Sequence, residues 1–379
     1  MELALTEDQT MLANTASSFI QENSPISRMR ALRDGGTQSF SPDVYKQMAE
    51  LGWTGIPFSE ADGGMDMGMA EMILVTEAMG RGLAPEPVLT SIMMGGQALA
   101  LAGSDAQRAQ WLPAVIEADK VIALAHLEQG GRHSLTHVAT KAQSTGGGYR
   151  LSGEKLHVLE GDSADAFVIV ARTSGGTKDA EGISLFLVPG DASGLSRTAQ
   201  KRVDSRGCAV INLDGVEVGK DALVGAEGAG LAVLEQVIER ATVALCGEML
   251  GGMSEAFERT IEYLKERKQF DVPIGSFQAL KHRAANMFIE VELSRSATMA
   301  AARAIDEGGD DASSLVAVAK ARCSDAYVLI ANEAVQMHGG IGMTDEHDIG
   351  LFMKRARAAE ITFGDAGHQR DRYATLNSY

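Results

Sequence analysis

Three groups of residues in the C-terminal half are of types and spacings that suit an anionic ligand. Arg267 lies in the run Tyr263-Leu264-Lys265-Glu266-Arg267-Lys268-Gln269-Phe270-Asp271-Val272-Pro273-Ile274, with Phe277-Gln278 just beyond. Its guanidinium presents five donors in a planar fork that matches pyrophosphate oxygens. Further on comes Gln336-Met337-His338-Gly339-Gly340-Ile341-Gly342-Met343. Gly339 and Gly340 lack a Cβ and let the backbone approach a ligand closely. Gln278 and Gln336 each bring both a donor and an acceptor. Singly, each residue has a plainer reading. Gly339-Gly340 could end a helix, Arg267 could pair with Glu266 or acidic neighbours near Glu262, and His338 and His347 could pack around the glycine loop. Together they favour a phosphate-bearing ligand.

The elements that must carry these groups follow from periodicity. Thr6-Glu7-Asp8-Gln9 caps a first helix bearing Met11, Leu12, Phe19 and Ile20, and Ser41-Pro42-Asp43 opens another. The run Leu51-Gly52-Trp53-Thr54-Gly55-Ile56-Pro57, with Asp62-Gly63-Gly64, forms a loop. Helical runs follow through Glu71 to Met79, from Ser91 to Leu101 and after Ser104. The period then changes: residues 149–158 alternate at period two, 167–170 and 183–188 are strands bounded by Gly and Pro, and 210–213, with Val216 and Val218, add another. Beyond Gly225-Ala226-Glu227-Gly228-Ala229-Gly230 come long helices over 229–267, 277–307 and 311–338, and a last one from about Ile349 to Ile361. The reading is an α+β fold in three parts: an N-terminal helical domain over 1–120, a middle antiparallel β domain over 121–225, and a C-terminal four-helix bundle over 226–379.

With 379 residues the chain can bury a sizeable core. A formal net charge of −17 argues against nucleic acid as a partner. Cys208, Cys246 and Cys323 are widely separated, which suits small buried thiols rather than disulfides or a metal site. His133 and His137 have helical-pair spacing but sit among loop residues, so no metal is expected. An acidic start without an apolar core, and no uninterrupted membrane-length apolar run, predict a cytoplasmic protein with no membrane association.

The order and spacing of three segments, Leu51 to Gly64, Tyr263 to Gln278 and Gln336 to Met343, resemble the acyl-CoA dehydrogenase family over essentially the whole chain. That family carries Arg-x-x-Phe-Gly-x-Pro-Ile before Phe-Gln, then Gln-x-x-Gly-Gly-x-Gly. The resemblance implies FAD as cofactor, an acyl-CoA substrate and an electron-transfer flavoprotein as acceptor. It also implies that Arg267, Gln269, Phe270, Gln278, Gln336, Gly339 and Gly340 cover the FAD held mainly by a neighbouring subunit.

The chain departs from the family pattern elsewhere. Where the family offers Thr-Glu-Pro and Gly-Ser-Asp to the flavin ring, this chain has Leu127-Glu128-Gln129-Gly130-Gly131-Arg132-His133-Ser134. Where it offers Trp-Ile-Thr or Trp-Ile-Ser, the chain has His157-Val158-Leu159. The usual Glu-Gly pair that carries the catalytic base becomes Phe363-Gly364, followed by Asp365, whose carboxylate would repel a nearby pyrophosphate. The alternative family position for a base falls on Ala241, with Thr242 after it, leaving Glu239 and Glu248 as candidate bases. A site kept for donation beside an eroded site for the chain's own flavin points to a mixed assembly with a second, complementary dehydrogenase-like subunit. Two alternatives remain. One is a self-sufficient homotetramer using Glu239 or Glu248; the other is a non-catalytic binding protein on the same fold.

Overall fold

Local capping signals place most helix starts. The computed structural model describes residues 4–36 and 39–379. Thr6 Oγ1 accepts from Gln9 N at 3.2 Å while Gln9 Oε1 accepts from Thr6 N at 3.1 Å, a reciprocal cap that opens α1 (Glu7–Asn23). α2 (Ile26–Gly35) is not expected from the sequence; it is rich in Arg and has little apolar period. Ser41 caps α3 (Pro42–Glu50). After α4 (Met69–Gly82), a wide-bore helical stretch over Val88–Gly96 runs into α5 (Gln97–Ala102), and Ser104 caps α6 (Asp105–Ile116).

Eight strands follow: β1 (Ile122–Ala125), β2 (Lys141–Ser144), β3 (Gly148–Leu159), β4 (Ala166–Arg172), β5 (Ile183–Pro189), β6 (Leu195–Ala199), β7 (Cys208–Gly219) and β8 (Leu223–Val224). They form one sheet in the order β6-β7-β3-β2-β4-β5-β8, with β1 also beside β4. Most pairings are antiparallel, as expected, but β1 and β2 each run parallel to β4. The remainder is α7 (Gly230–Glu266), a short hairpin of β9 (Lys268–Gln269) and β10 (Val272–Pro273), α8 (Gln278–Glu307), α9 (Ala312–His338), α10 (Ile349–Ile361) and α11 (Ala366–Leu376). α11 extends the chain's helices beyond the expected end near Ile361.

The chain gathers into two compact units. The sheet unit comprises Leu32–Met67 and Pro85–Ala241; the helical unit comprises Met1–Ala31, Gly68–Ala84 and Thr242–Tyr379. In the sheet unit, β4 is buried at every position. The Leu51 to Pro57 motif lies here as a packed turn: Trp53 is buried, and Thr54 Oγ1 donates to Ile116 O at 2.5 Å. Its glycines serve packing, since a Cβ on Gly64 would lie 2.3 Å from Phe58 O.

In the helical unit, α4 crosses α7 at backbone distance. A Cβ on Gly251 would lie 1.8 Å from Glu77 O, and one on Gly80 would lie 2.0 Å from Glu248 O. Asp306, near the end of α8, accepts from Met69 N at 2.6 Å and Ala70 N at 3.0 Å, placing a carboxylate on the positive end of α4. Glu248 on α7 and Arg355 on α10 form a buried two-point fork, Nε to Oε1 at 2.7 Å and Nη2 to Oε2 at 2.9 Å. No helix among the described residues is long and apolar enough to cross a membrane.

Removing one half of this fork strands a buried charge. Arg355→Met is expected to lower stability by about 3–5 kcal/mol, whereas Glu248→Met with Arg355→Met together recovers most of the loss. Guanidinium unfolding followed by helical circular dichroism measures both.

Candidate functional site

α7 ends at Glu266, and Arg267 N still donates to Tyr263 O at 2.9 Å. The chain then turns back through the β9–β10 hairpin, in which Val272 pairs with Gln269 and Ile274 N donates to Arg267 O at 2.8 Å. The two central residues, Phe270 at φ 54° and Asp271 at φ 63°, are both left-handed, the backbone of a tight primed turn. The family's glycine is absent here, and Asp271 adopts the conformation glycine would take freely. Phe270 is 88% exposed and meets Phe277 edge-on at 6.2 Å. α8 begins directly at Gln278.

The second segment lies at the end of α9. Gln336 is exposed in its last turn, and Gly339 N donates to Gln336 O, so Gly339 does close the helix. Its φ of 66° and ψ of −142° lie in a region that side-chain-bearing residues avoid. A Cβ added to Gly339 or Gly340 would meet nothing within 4 Å. The glycines therefore leave open space over an exposed backbone, beyond what capping alone requires. His338 stacks on Tyr263 at 4.4 Å and lies 4.5 Å from His347, so the histidines do pack around the glycine loop.

Arg267 is exposed and has no ion-pair partner among the described residues; its neighbour Lys265 pairs with Glu262 at 2.5 Å instead. An unpaired guanidinium, two exposed amides and an uncovered glycine backbone fit the phosphates and polar edges of a dinucleotide such as FAD. Arg267, Gln269, Phe270, Gln278, Gln336, Gly339 and Gly340 all belong to the helical unit and all are exposed.

Phe363 lies in the turn between α10 and α11, at φ 58°, followed by Gly364 at φ 97°. Buried Lys320 holds this turn: its Nζ donates to Glu360 O at 2.8 Å, Gly364 O at 2.9 Å and Ser324 Oγ at 2.9 Å. Burial pushes the Lys320 ammonium down to about 8. Gln369 Nε2 donates to Phe363 O at 2.7 Å. Asp365 has a local role, since its Oδ1 accepts from His368 N at 2.8 Å and caps α11. Of the two candidate bases, Glu248 is engaged by Arg355, and Glu239 is half-buried on α7 in the sheet unit.

In the sheet unit, His157-Val158-Leu159 ends β3 at a bulge, with His157 at φ 50° and Leu159 paired to Cys208. Glu128 and Lys155 form a buried pair with Nζ to Oε1 at 2.5 Å; Ala139 N and Thr140 N also donate to Glu128. Burial lowers Lys155 to about 8 against the pull of Glu128. Burial works to raise Glu128, but Lys155 and the other donors outweigh it and hold the carboxyl below its ordinary range. Just past Leu159, burial and the nearby Asp162 push Glu160 up to about 8. Among the described residues, no group of three or more His, Cys, Asp or Glu side chains could hold a metal ion.

The residues that sequence reasoning overlooks are Lys320, Arg355 and Tyr263. Each contacts a partner far away in sequence, and no local pattern marks it. The only available signal is for Lys320, a lysine within the run of small apolar residues Ala317 to Ala321.

Two consequences can be measured. Asp271→Gly relieves the left-handed backbone and should stabilise the chain by about 0.5–1 kcal/mol in chemical denaturation. Glu160 keeps its proton in the folded state up to about pH 8, against an ordinary value of 4.5, so its contribution is present at low pH and is lost as pH rises through 8. Glu160→Gln should therefore match the wild-type melting temperature near pH 5 and exceed it near pH 9.

Comparison with known proteins bears on the same segments. Family models for the acyl-CoA dehydrogenase N-terminal, middle and C-terminal domains match residues 6–119, 123–216 and 228–375. The acyl-CoA dehydrogenase FadE12 of Mycobacterium tuberculosis is 32% identical over 84% of this chain and 83% of its own length. Among solved structures, the ChsE4–ChsE5 complex from Mycobacterium tuberculosis matches with a TM-score of 0.90 and 28% identity, covering 100% of this chain and 99% of that one. The Tcur3481–Tcur3483 steroid ACAD matches with a TM-score of 0.87 and 27% identity over 98% of both chains. With matches spanning all three domains and an exposed corner suited to a dinucleotide, the chain belongs to the acyl-CoA dehydrogenase family, the FAD-dependent oxidoreductases of acyl-CoA thioesters.

Proposed function

We propose that this chain is the site-completing subunit of a mixed acyl-CoA dehydrogenase assembly, covering the FAD of a second, related chain that supplies the carboxylate base. The observation that carries this reading is a combination. Arg267, Gln278, Gln336 and the Gly339–Gly340 backbone are exposed, with Arg267 unpaired among the described residues, while the turn expected to carry the base has Phe363.

The reaction removes a proton from the α-carbon and a hydride from the β-carbon of an acyl-CoA thioester. FAD supplies the ring that accepts the hydride. Arg267 would neutralise the pyrophosphate, the bare Gly339–Gly340 backbone would let it approach closely, and the Gln278 and Gln336 amides would fix the polar edges of the dinucleotide. Gln269 and Phe270 would cover the dinucleotide from the hairpin. Phe363 cannot accept a proton, and Leu159 cannot hydrogen-bond a flavin ring, so this chain lacks both for a site of its own. The proton must go to a carboxylate from elsewhere in the assembly.

Two similar solved structures support the mixed assembly by being named as pairs of chains, ChsE4–ChsE5 and Tcur3481–Tcur3483, the latter described as a steroid ACAD. A steroid or fatty acyl-CoA is the substrate class this reading carries, and an electron-transfer flavoprotein is the acceptor. The self-sufficient alternative needs Glu239 or Glu248 as base. Against it, Glu248 has both carboxylate oxygens engaged by Arg355.

The chain purified alone should carry little flavin and show no acyl-CoA oxidation. Co-expression with a complementary dehydrogenase-like chain should yield a yellow, active assembly. A yellow, active homo-oligomer of this chain alone refutes the proposal. In the assembly, Arg267→Ala should weaken FAD retention roughly 10- to 100-fold, the loss of one charge-assisted contact, measured by flavin release on dilution.

A further inference from the structure

The exposed residues suited to a dinucleotide come from two segments far apart in sequence, the hairpin after α7 and the turn after α9. Each segment is bonded locally, but neither fixes its place relative to the other. Gly339 and Gly340 have no side chains to anchor them, and the Arg267 side chain has no partner among the described residues. What joins the segments is a row of three rings. Tyr263 lies one helical turn before Arg267, and its ring stacks on His338 at 4.4 Å with 28° between planes. His338 immediately precedes Gly339, and its other neighbour is His347 at 4.5 Å and 53°. The row thus ties the end of α7 to the end of α9 and to the segment before α10.

We propose that the Tyr263–His338–His347 stack is the positioning element that holds Arg267 and the Gly339–Gly340 turn in mutual register for an anionic dinucleotide. This rests on the reading of that corner as the FAD-covering site. His338 is 3% exposed, and its Nδ1 donates to Ala334 O at 2.7 Å, which fixes the ring on α9. The His347 Nδ1 accepts from Ile349 N at 3.2 Å, the tautomer of a neutral ring. The charged groups around the pair are Arg259 on α7, Arg30 on α2 and Asp348 beside His347. Asp348 draws the Arg30 guanidinium to 2.7 Å and that of Arg259 to 3.6 Å. Burial first holds both imidazoles below their ordinary range; His347 and Arg259 add to this for His338 against the backbone bond to Ala334, and Arg259 and Arg30 add to it for His347 against Asp348. Two neutral rings and a phenol stack without mutual repulsion, so the row acts as a rigid spacer. A Cβ on Gly342, on the far side of the turn, would lie 3.0 Å from the His338 Cβ, so the ring's base bounds the glycine turn there as well.

The test uses the full-length chain without ligand. Amide hydrogen exchange of the 339–343 segment should quicken roughly three- to tenfold in His338→Ala, the worth of one aromatic pair, while exchange in the middle of α9 stays unchanged. His338→Phe keeps a ring against Tyr263 and should restore near-wild-type protection. His347→Ala, at a less buried position, should quicken the same segment in the same direction. Unchanged exchange in His338→Ala and His347→Ala, or no restoration by His338→Phe, overturns the proposal. Separately, FAD release on dilution of the co-expressed assembly, carrying either Arg267→Met or the wild-type chain and followed by flavin fluorescence, tests the underlying reading. If the Arg267→Met assembly retains FAD like wild type while the exchange pattern holds, the covering-site reading fails and the stack remains the anchor of the turn.

Discussion

The buried fork between Glu248 and Arg355 determines where the chemically significant ends of the helical unit lie. Glu248 sits on α7, which terminates at the Arg267 hairpin, and Arg355 sits on α10, which terminates at the Phe363 turn. A fork made through two hydrogen bonds tolerates neither sliding nor rotation of one helix against the other. The glycine contacts of α7 with α4 press the same stretch of α7 from another side, because Gly251 and Gly80 bring backbone against backbone. Both helix ends inherit their positions from this packed region.

At those ends, the unit meets the usual demand that buried polar groups be partnered. The carbonyls left over at the end of α10 are taken up by Lys320, whose amine spends its donors on Glu360 O, Gly364 O and Ser324 Oγ. This holds the Phe363 turn rigidly even though its own residue has no proton-transfer chemistry. At the end of α9, by contrast, the Gly339–Gly340 backbone is left exposed, and the Arg267 guanidinium beyond α7 has no acidic partner among the described residues. The same unit thus has the backbone carbonyls around Phe363 partnered and the backbone at Gly339–Gly340 left open.

Features that depend on a few consecutive residues are legible in the order of the amino acids. The Thr6–Gln9 and Ser41 caps, the alternating strand around Tyr149, the apolar run from Ile183 and the three long C-terminal helices fall where expected because caps, periodicity and turn residues act over a few positions. The hairpin glutamine and arginine and the glycine pair can be singled out for the same reason. α2 escapes because its arginines mask any apolar stripe, and α11 because its sequence, with few apolar residues, carries a weak helical period. The parallel pairing of β1 with β4 escapes because strand direction is set by the path of the connection, which no strand's own residues record.

By itself, then, the amino-acid sequence determined the succession of helical, sheet and helical segments, the chemistry available at Arg267, Gln336 and Gly340, and that position 363 is a phenylalanine. Tertiary structure alone decided that Glu248 is bound to an arginine 107 residues away, that Asp365 caps a helix, and that Tyr263 and His338 bring the two anion-suited segments together. The division has a physical reason. Residue type and short-range backbone preference are local quantities, whereas whether a charge is free or paired depends on which distant helix packs against it.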